Sequence, residues 1–126
     1  MIWSIALGSA VGGVCRWLIG AFLQKPGFPF WTLAINVGGS FLLGAIMRIS
    51  LQTPSMSPEV RAMLAIGFCG GFTTFSTFSY ETAMLLEDGE WLKAGTYIGG
   101  SVVLSIAAIF LGFAAARELL VVSTRG

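Results

Sequence analysis

Residues 70–79, Gly70-Gly71-Phe72-Thr73-Thr74-Phe75-Ser76-Thr77-Phe78-Ser79, set two glycines and five hydroxyl side chains among three phenylalanines. All lie inside a long apolar stretch. Ser and Thr hydroxyls donate hydrogen bonds without bringing charge. Phe75 and Phe78 are three residues apart, so on a helix they point to a similar side. The edge of an aromatic ring is electropositive and can meet an anion. Two further polar stripes have i, i+4 spacing and therefore one helix face each: Thr32, Asn36 and Ser40, then Tyr97, Ser101 and Ser105. Such a track of neutral donors, with Ser76 and Thr77 beside it, suits a small anion that must shed water and still leave. A fixed Lys or Arg at mid-span would hold the ion more tightly. The competing reading is interhelical glue, the common use of isolated Ser, Thr and Asn in lipid.

Two ionisable groups sit deeper than the membrane interface. Arg16 lies in the last third of the first apolar segment, and Glu81 lies one turn beyond the Phe pair. Ionisable groups at such depth are functional candidates by default. Both fall in the same membrane half, so an Arg16–Glu81 pair is possible. Enzyme chemistry finds little support. There is no His, and no base is placed to activate a hydroxyl. Cys15 and Cys69 both lie in apolar stretches and read as small packing residues.

These groups need elements to hold them. Of 126 residues, 56% are hydrophobic and 10% charged, with a net charge of +1. Soluble domains carry roughly 25% charged residues, so the chain reads as a membrane protein. It has no basic surface for nucleic acid. Four apolar segments are separable, at about Ile2–Leu23, Pro29–Ile49, Pro58–Leu86 and Lys93–Val122. Lipid offers no partner to open strand edges, so all four are expected as helices, in one domain over 1–126. No basic residue precedes the first apolar run, which does not read as a cleaved signal. Ser57-Pro58-Glu59 reads as an N-cap, a first-turn Pro and an acid. The glycine pair and hydroxyl cluster predict a break in the third helix, with one half ending near Gly70 and the other starting near Ser76. Free carbonyls at such a break favour cations and free amides favour anions. Gly8/Gly12, Gly67/Gly71 and Gly95/Gly99 have the small-xxx-small spacing that lets helices approach closely.

Four spans put both termini on one side, with Arg48, Arg61, Arg117 and Arg125; the other side holds Lys25, Lys93 and Arg16. Four against three is almost no bias, whereas fixed orientation normally follows a clear Lys/Arg excess. One reading is a weakly biased protein of fixed orientation. The other is a chain that inserts both ways and pairs with an inverted copy. That pairing would supply the inverted symmetry that larger transporters build within one chain.

Taken together, these residues resemble the Fluc (CrcB) fluoride channels. Residues 70–79 followed by Glu81 match the family's GGxTTFSTFS-x-E signature, Asn36-Val37-Gly38-Gly39 its second-helix motif, and Arg16-Trp17 its first-helix arginine. The resemblance implies an antiparallel, dual-topology homodimer in the bacterial cytoplasmic membrane, with two pores that export toxic fluoride passively and exclude chloride. It implies that Phe75 and Phe78 contact fluoride, that Asn36 faces the pore, and that Tyr97, Ser101 and Ser105 line it. It also implies a central structural Na⁺ on the backbone carbonyls of Gly70 and Thr73 from both subunits. A different class, the small dual-topology proton-coupled exporter, would use Glu81 as its carboxylate. A third is a non-transporting subunit whose polar stripes bind a partner protein.

Overall fold

A computed structural model describes residues 1–125; Gly126, the last residue of the domain expected from the sequence, lies outside them. The architecture is all-helical, with no strand among the described residues. Helix α1 is Ile2–Leu23 and α2 is Phe30–Gln52. Helix α3 covers 58–72 and joins an α-helical turn, Pro58–Arg61, to a π-helical stretch, Ala62–Cys69, and a last turn, Gly70–Phe72. Helix α4 is Phe75–Glu87, and α5 is Trp91–Arg125. With α3 and α4 taken as one broken span, the chain has four helices long and apolar enough to cross a membrane. Helix α5 runs beyond the expected Lys93–Val122 at both ends. At 35 residues it is about 52 Å long, more than a hydrocarbon core of about 30 Å requires.

The start of α3 forms as its residues predict. The Ser57 hydroxyl accepts the Val60 amide at 3.2 Å, and Pro58 occupies the first turn, where no intrahelical N–H bond is lost. The break is tighter than the expected 70–76. Only Thr73 and Thr74 leave helical geometry, with ψ of 156° and 114°. Gly71 stays helical because α1 packs directly on it; a Cβ there would lie 2.5 Å from the Ser9 carbonyl oxygen. Helix α4 starts at Phe75 because the Thr74 hydroxyl caps it, accepting the Thr77 amide at 3.1 Å. Eight residues of π-helix run up to this break, a rare form concentrated at functional sites.

Glycine sets the helix pairing. Gly8 and Gly12 of α1 meet backbone of α3 around Gly67 and Phe68, and Gly67 and Gly71 meet α1 in return. Gly95 and Gly99 were expected to pack similarly, yet nothing in the described chain lies within 4 Å of a Cβ built on either. The second close crossing uses a pair 68 residues apart. Gly44 of α2 faces the Ile109 carbonyl of α5, and Gly112 of α5 faces the Phe41 carbonyl of α2. The bundle therefore consists of two tight pairs, α1 with α3 and α2 with α5.

Candidate functional site

The break is held open by an amide. Asn36, on the buried side of α2, accepts the Thr74 N–H through Oδ1 at 2.8 Å and donates from Nδ2 to the Thr74 carbonyl at 3.2 Å. Both polar groups of one unwound residue are thus satisfied by one side chain, as backbone at membrane depth requires. The Thr74 amide, being a donor, fixes which end of the Asn amide faces it. Asn36 retains one N–H and further acceptor capacity. Thr73 closes the end of α3 by donating both its amide, at 3.0 Å, and its hydroxyl, at 2.8 Å, to the Cys69 carbonyl. The Thr74 amide is committed to Asn36, so the Gly70 carbonyl lacks the partner it would have in a continuous helix.

A groove of about 530 Å³ opens along this break, between α3–α4 and the facing sides of α2 and α5. Asn36, Gly70, Thr73, Phe75, Phe78, Ser101 and Ser105 all line it. Its wall carries no Lys, Arg, Asp or Glu. The two rings are 5.7 Å apart, centroid to centroid. They differ in setting: Phe75 is 79% exposed, while Phe78 packs on the Tyr97 ring at 5.0 Å. Ser101 is 7% exposed, and its Oγ is buried with no hydrogen-bond partner among the described residues. A buried hydroxyl left unpaired costs about 1–3 kcal/mol, so this one is poised to donate to something that enters the groove.

The remaining expected site residues lie elsewhere. Thr32 and Tyr97 are fully buried behind Phe78, and both hydroxyls donate to Glu81 Oε1, at 2.5 Å and 3.5 Å. The Thr77 hydroxyl is turned to Thr74, as acceptor at 3.1 Å, and Ser76 lies 3.3 Å from the same Thr74 oxygen. Arg16 and Glu81 do not pair. Arg16 Nε instead donates to the Gly71 carbonyl at 3.1 Å. The physical reason is that α3 ends next to α1, and a cation is favoured at the carbonyl end of a helix. Beyond that bond, Arg16 faces a second cleft of about 450 Å³ that also contains Trp17, Gln24 and Trp31.

Thr74 was not among the expected site residues, yet it is the hinge of the break, held by Asn36 and capping α4. Its position in the Thr-Thr-Phe-Ser-Thr run was the available signal, since a Thr three residues before a helical amide is a cap candidate. Ser40 also lines the groove. Among the described residues, no group of three or more His, Cys, Asp or Glu comes together to bind a metal.

A family model described as CrcB-like protein, Camphor Resistance (CrcB), matches residues 3–113. The chain is 51% identical over 121 residues to a protein of Geobacter sulfurreducens named fluoride-specific ion channel FluC, covering 94% of this chain and 98% of that one. A protein of the same name from Geobacter metallireducens is 48% identical over 120 residues, covering 92% and 96%. One from Chlorobaculum tepidum is 46% identical over 110 residues, covering 86% and 87%.

Proposed function

The chain belongs to the CrcB-like family, and from that premise we propose that it is a passive, fluoride-selective channel of the bacterial cytoplasmic membrane. The observation that carries this reading is the groove at the helix break. It offers hydroxyls, an amide and two phenylalanine rings, and no fixed charge. Fluoride sheds water only where donors replace it, and conduction requires that those donors release the ion again. The unpartnered Ser101 hydroxyl and the spare N–H of Asn36 are such donors. Ser105 continues the track along α5, and Phe75 and Phe78 line the same space. Thr32 and Tyr97 lie behind Phe78 on Glu81, and the Ser76 and Thr77 hydroxyls gather on that of Thr74.

The working unit is two copies in opposite orientations. Support comes from the four-against-three distribution of Lys and Arg, from Phe75 standing 79% exposed on the groove, and from a groove that is open on one side. A structural Na⁺ fits the same place. The Gly70 carbonyl lacks its helical Thr74 N–H partner, and with Thr73 it gives each copy neutral oxygen ligands suited to a hard monovalent cation. When bound, such an ion neutralises converging carbonyl dipoles and raises the local positive potential. The proton-coupled exporter is not favoured, because α1 carries no carboxylate and Glu81 lies off the groove between two hydroxyls.

Purified protein in liposomes should pass fluoride down its gradient at channel rates. Flux no greater than from empty liposomes, or equal passage of chloride, would refute the reading. In the same assay Phe75→Leu and Phe78→Leu keep apolar bulk and remove the ring edge. An aromatic contact worth about 1 kcal/mol predicts a fall of about fivefold at each position. Phe78→Leu should also lower the unfolding temperature, because Phe78, unlike Phe75, packs against the Tyr97 ring at 5.0 Å.

A further inference from the structure

We propose that the cleft between α1 and the start of α2 binds the phosphate of a membrane lipid, held by the guanidinium of Arg16. Arg16 carries a charge that the described residues do not neutralise. It lies about 10 Å along α1 from the helix end at Leu23, well inside the apolar span. Its Nε donates to the Gly71 carbonyl, which is a dipole and not a counter-charge. The one ion pair among the described residues joins Lys93 to Glu90. Nη1 and Nη2 of Arg16 make no hydrogen bond within the described protein. An arginine at such depth finds an acceptor, or thins the bilayer and draws water toward itself.

The cleft has the form expected for an anion with an apolar body. Its volume is about 450 Å³, and it runs along one face of α1 from Gly13 past Arg16 to Gln24. Trp31 of α2 forms the opposite wall. The Trp31 ring is seated on Gly20, where a Cβ would lie 2.8 Å from it. Gly20 and Ala21 keep side-chain bulk off the α1 wall between Arg16 and Gln24, and no acidic residue lines the cleft. Lys25 follows Gln24 where the chain leaves the helix and adds a cation at the mouth. The two Nη groups match two oxygens of a phosphate, the bidentate geometry for which arginine is suited. The rim favours a lipid over a free anion. On α1, Trp17 is 69% exposed and Phe22 83% exposed, an apolar surface that takes acyl chains and that a free anion does not use. Tryptophan rings also settle at headgroup level in membranes.

The purified protein in neutral detergent, titrated with dioleoylphosphatidylglycerol, provides the test. Unfolding temperature and native mass spectrometry are the two readouts. The phospholipid should raise the unfolding temperature and remain bound in the mass spectrum. Dioleoylglycerol, with the same chains and no phosphate, should do neither, and inorganic phosphate at the same concentration should do neither. Arg16→Lys keeps a charge and a donor for Gly71 but loses the bidentate fork. Its affinity for the phospholipid should fall by about tenfold, the scale of one charge-assisted hydrogen bond. Ala21→Phe leaves Arg16 in place and fills the cleft, and it should weaken the lipid by at least as much. If Arg16→Lys fails to fold, Ala21→Phe decides alone. Unchanged affinity in either folded variant would overturn the proposal. Equal binding of dioleoylglycerol would do so by making the surface merely apolar, and equal binding of inorganic phosphate by making it a site for a free anion.

Discussion

Asn36→Ala should reduce fluoride flux by about 100-fold while leaving the protein helical. The substitution removes both hydrogen bonds that hold Thr74, one to its amide and one to its carbonyl. Two backbone groups would then be unpaired at membrane depth. Each such loss costs about 1–3 kcal/mol. A combined loss near 3 kcal/mol lowers the population of the ordered break by about 100-fold. The Thr74 amide would turn to the Gly70 carbonyl, lengthening α3 and closing the geometry at which the groove opens. Asn36→Asp separates the two bonds. Its carboxylate still accepts the Thr74 amide but has no proton for the Thr74 carbonyl, and it brings a fixed negative charge into an anion path. Its flux should be at least as low as that of Asn36→Ala, although the break is better held. Liposome flux and circular dichroism of both variants check this. An Asn36→Ala channel that conducts normally would mean the break needs no clamp.

Gly12→Val should prevent the bundle from assembling. A Cβ at Gly12 meets the Phe68 carbonyl oxygen and lies 2.9 Å from the Phe72 amide nitrogen. Both are backbone atoms, so no rotamer change relieves the contact, and α1 must move off α3. Overpacking of this kind costs about 1–3 kcal/mol for small additions, occasionally more. Displacing α1 also removes the Arg16 bond to Gly71 and the glycine contacts at Gly8, Gly67 and Gly71. The expected result is protein recovered as aggregate, or with an unfolding temperature lowered by at least 10 °C, on the scale of about 2–8 °C per kcal/mol. Gly95→Ala is the contrast. Nothing lies within 4 Å of its Cβ, and Ala is favoured over Gly in a helix by about 1 kcal/mol. Its protomer should unfold no earlier than the unaltered protein.

The two substitutions separate what was legible in the chain from what was not. Gly8, Gly12, Gly67 and Gly71 announced close helix approach by their spacing, and the structure places them against each other. Gly95 and Gly99 have the same spacing and meet nothing within the protomer. Spacing shows that a helix face is flat, but not whether another helix lies on it. Gly44 and Gly112 form the other tight crossing and carry no local signature, since they lie on different helices. The break was legible because glycine and hydroxyl residues clustered inside an apolar stretch. Its width was not legible. It depended on α1 keeping Gly71 helical and on Thr74 capping α4 earlier than Ser76.

Composition and periodicity by themselves determined the four spans, the interruption in the third and the neutral character of the polar stripes. These are one-dimensional properties: apolar length against bilayer thickness, helix period, and the local cost of consecutive glycines. Partners across the bundle were decided only by the tertiary structure. Arg16 and Glu81 share a membrane half and opposite charge, and a pair between them was a reasonable expectation. The fold instead brings the end of α3 to Arg16, and brings Thr32 and Tyr97 to Glu81. A hydrogen bond depends on distances of a few tenths of an ångström between residues dozens of positions apart. No spacing rule along one helix contains that information.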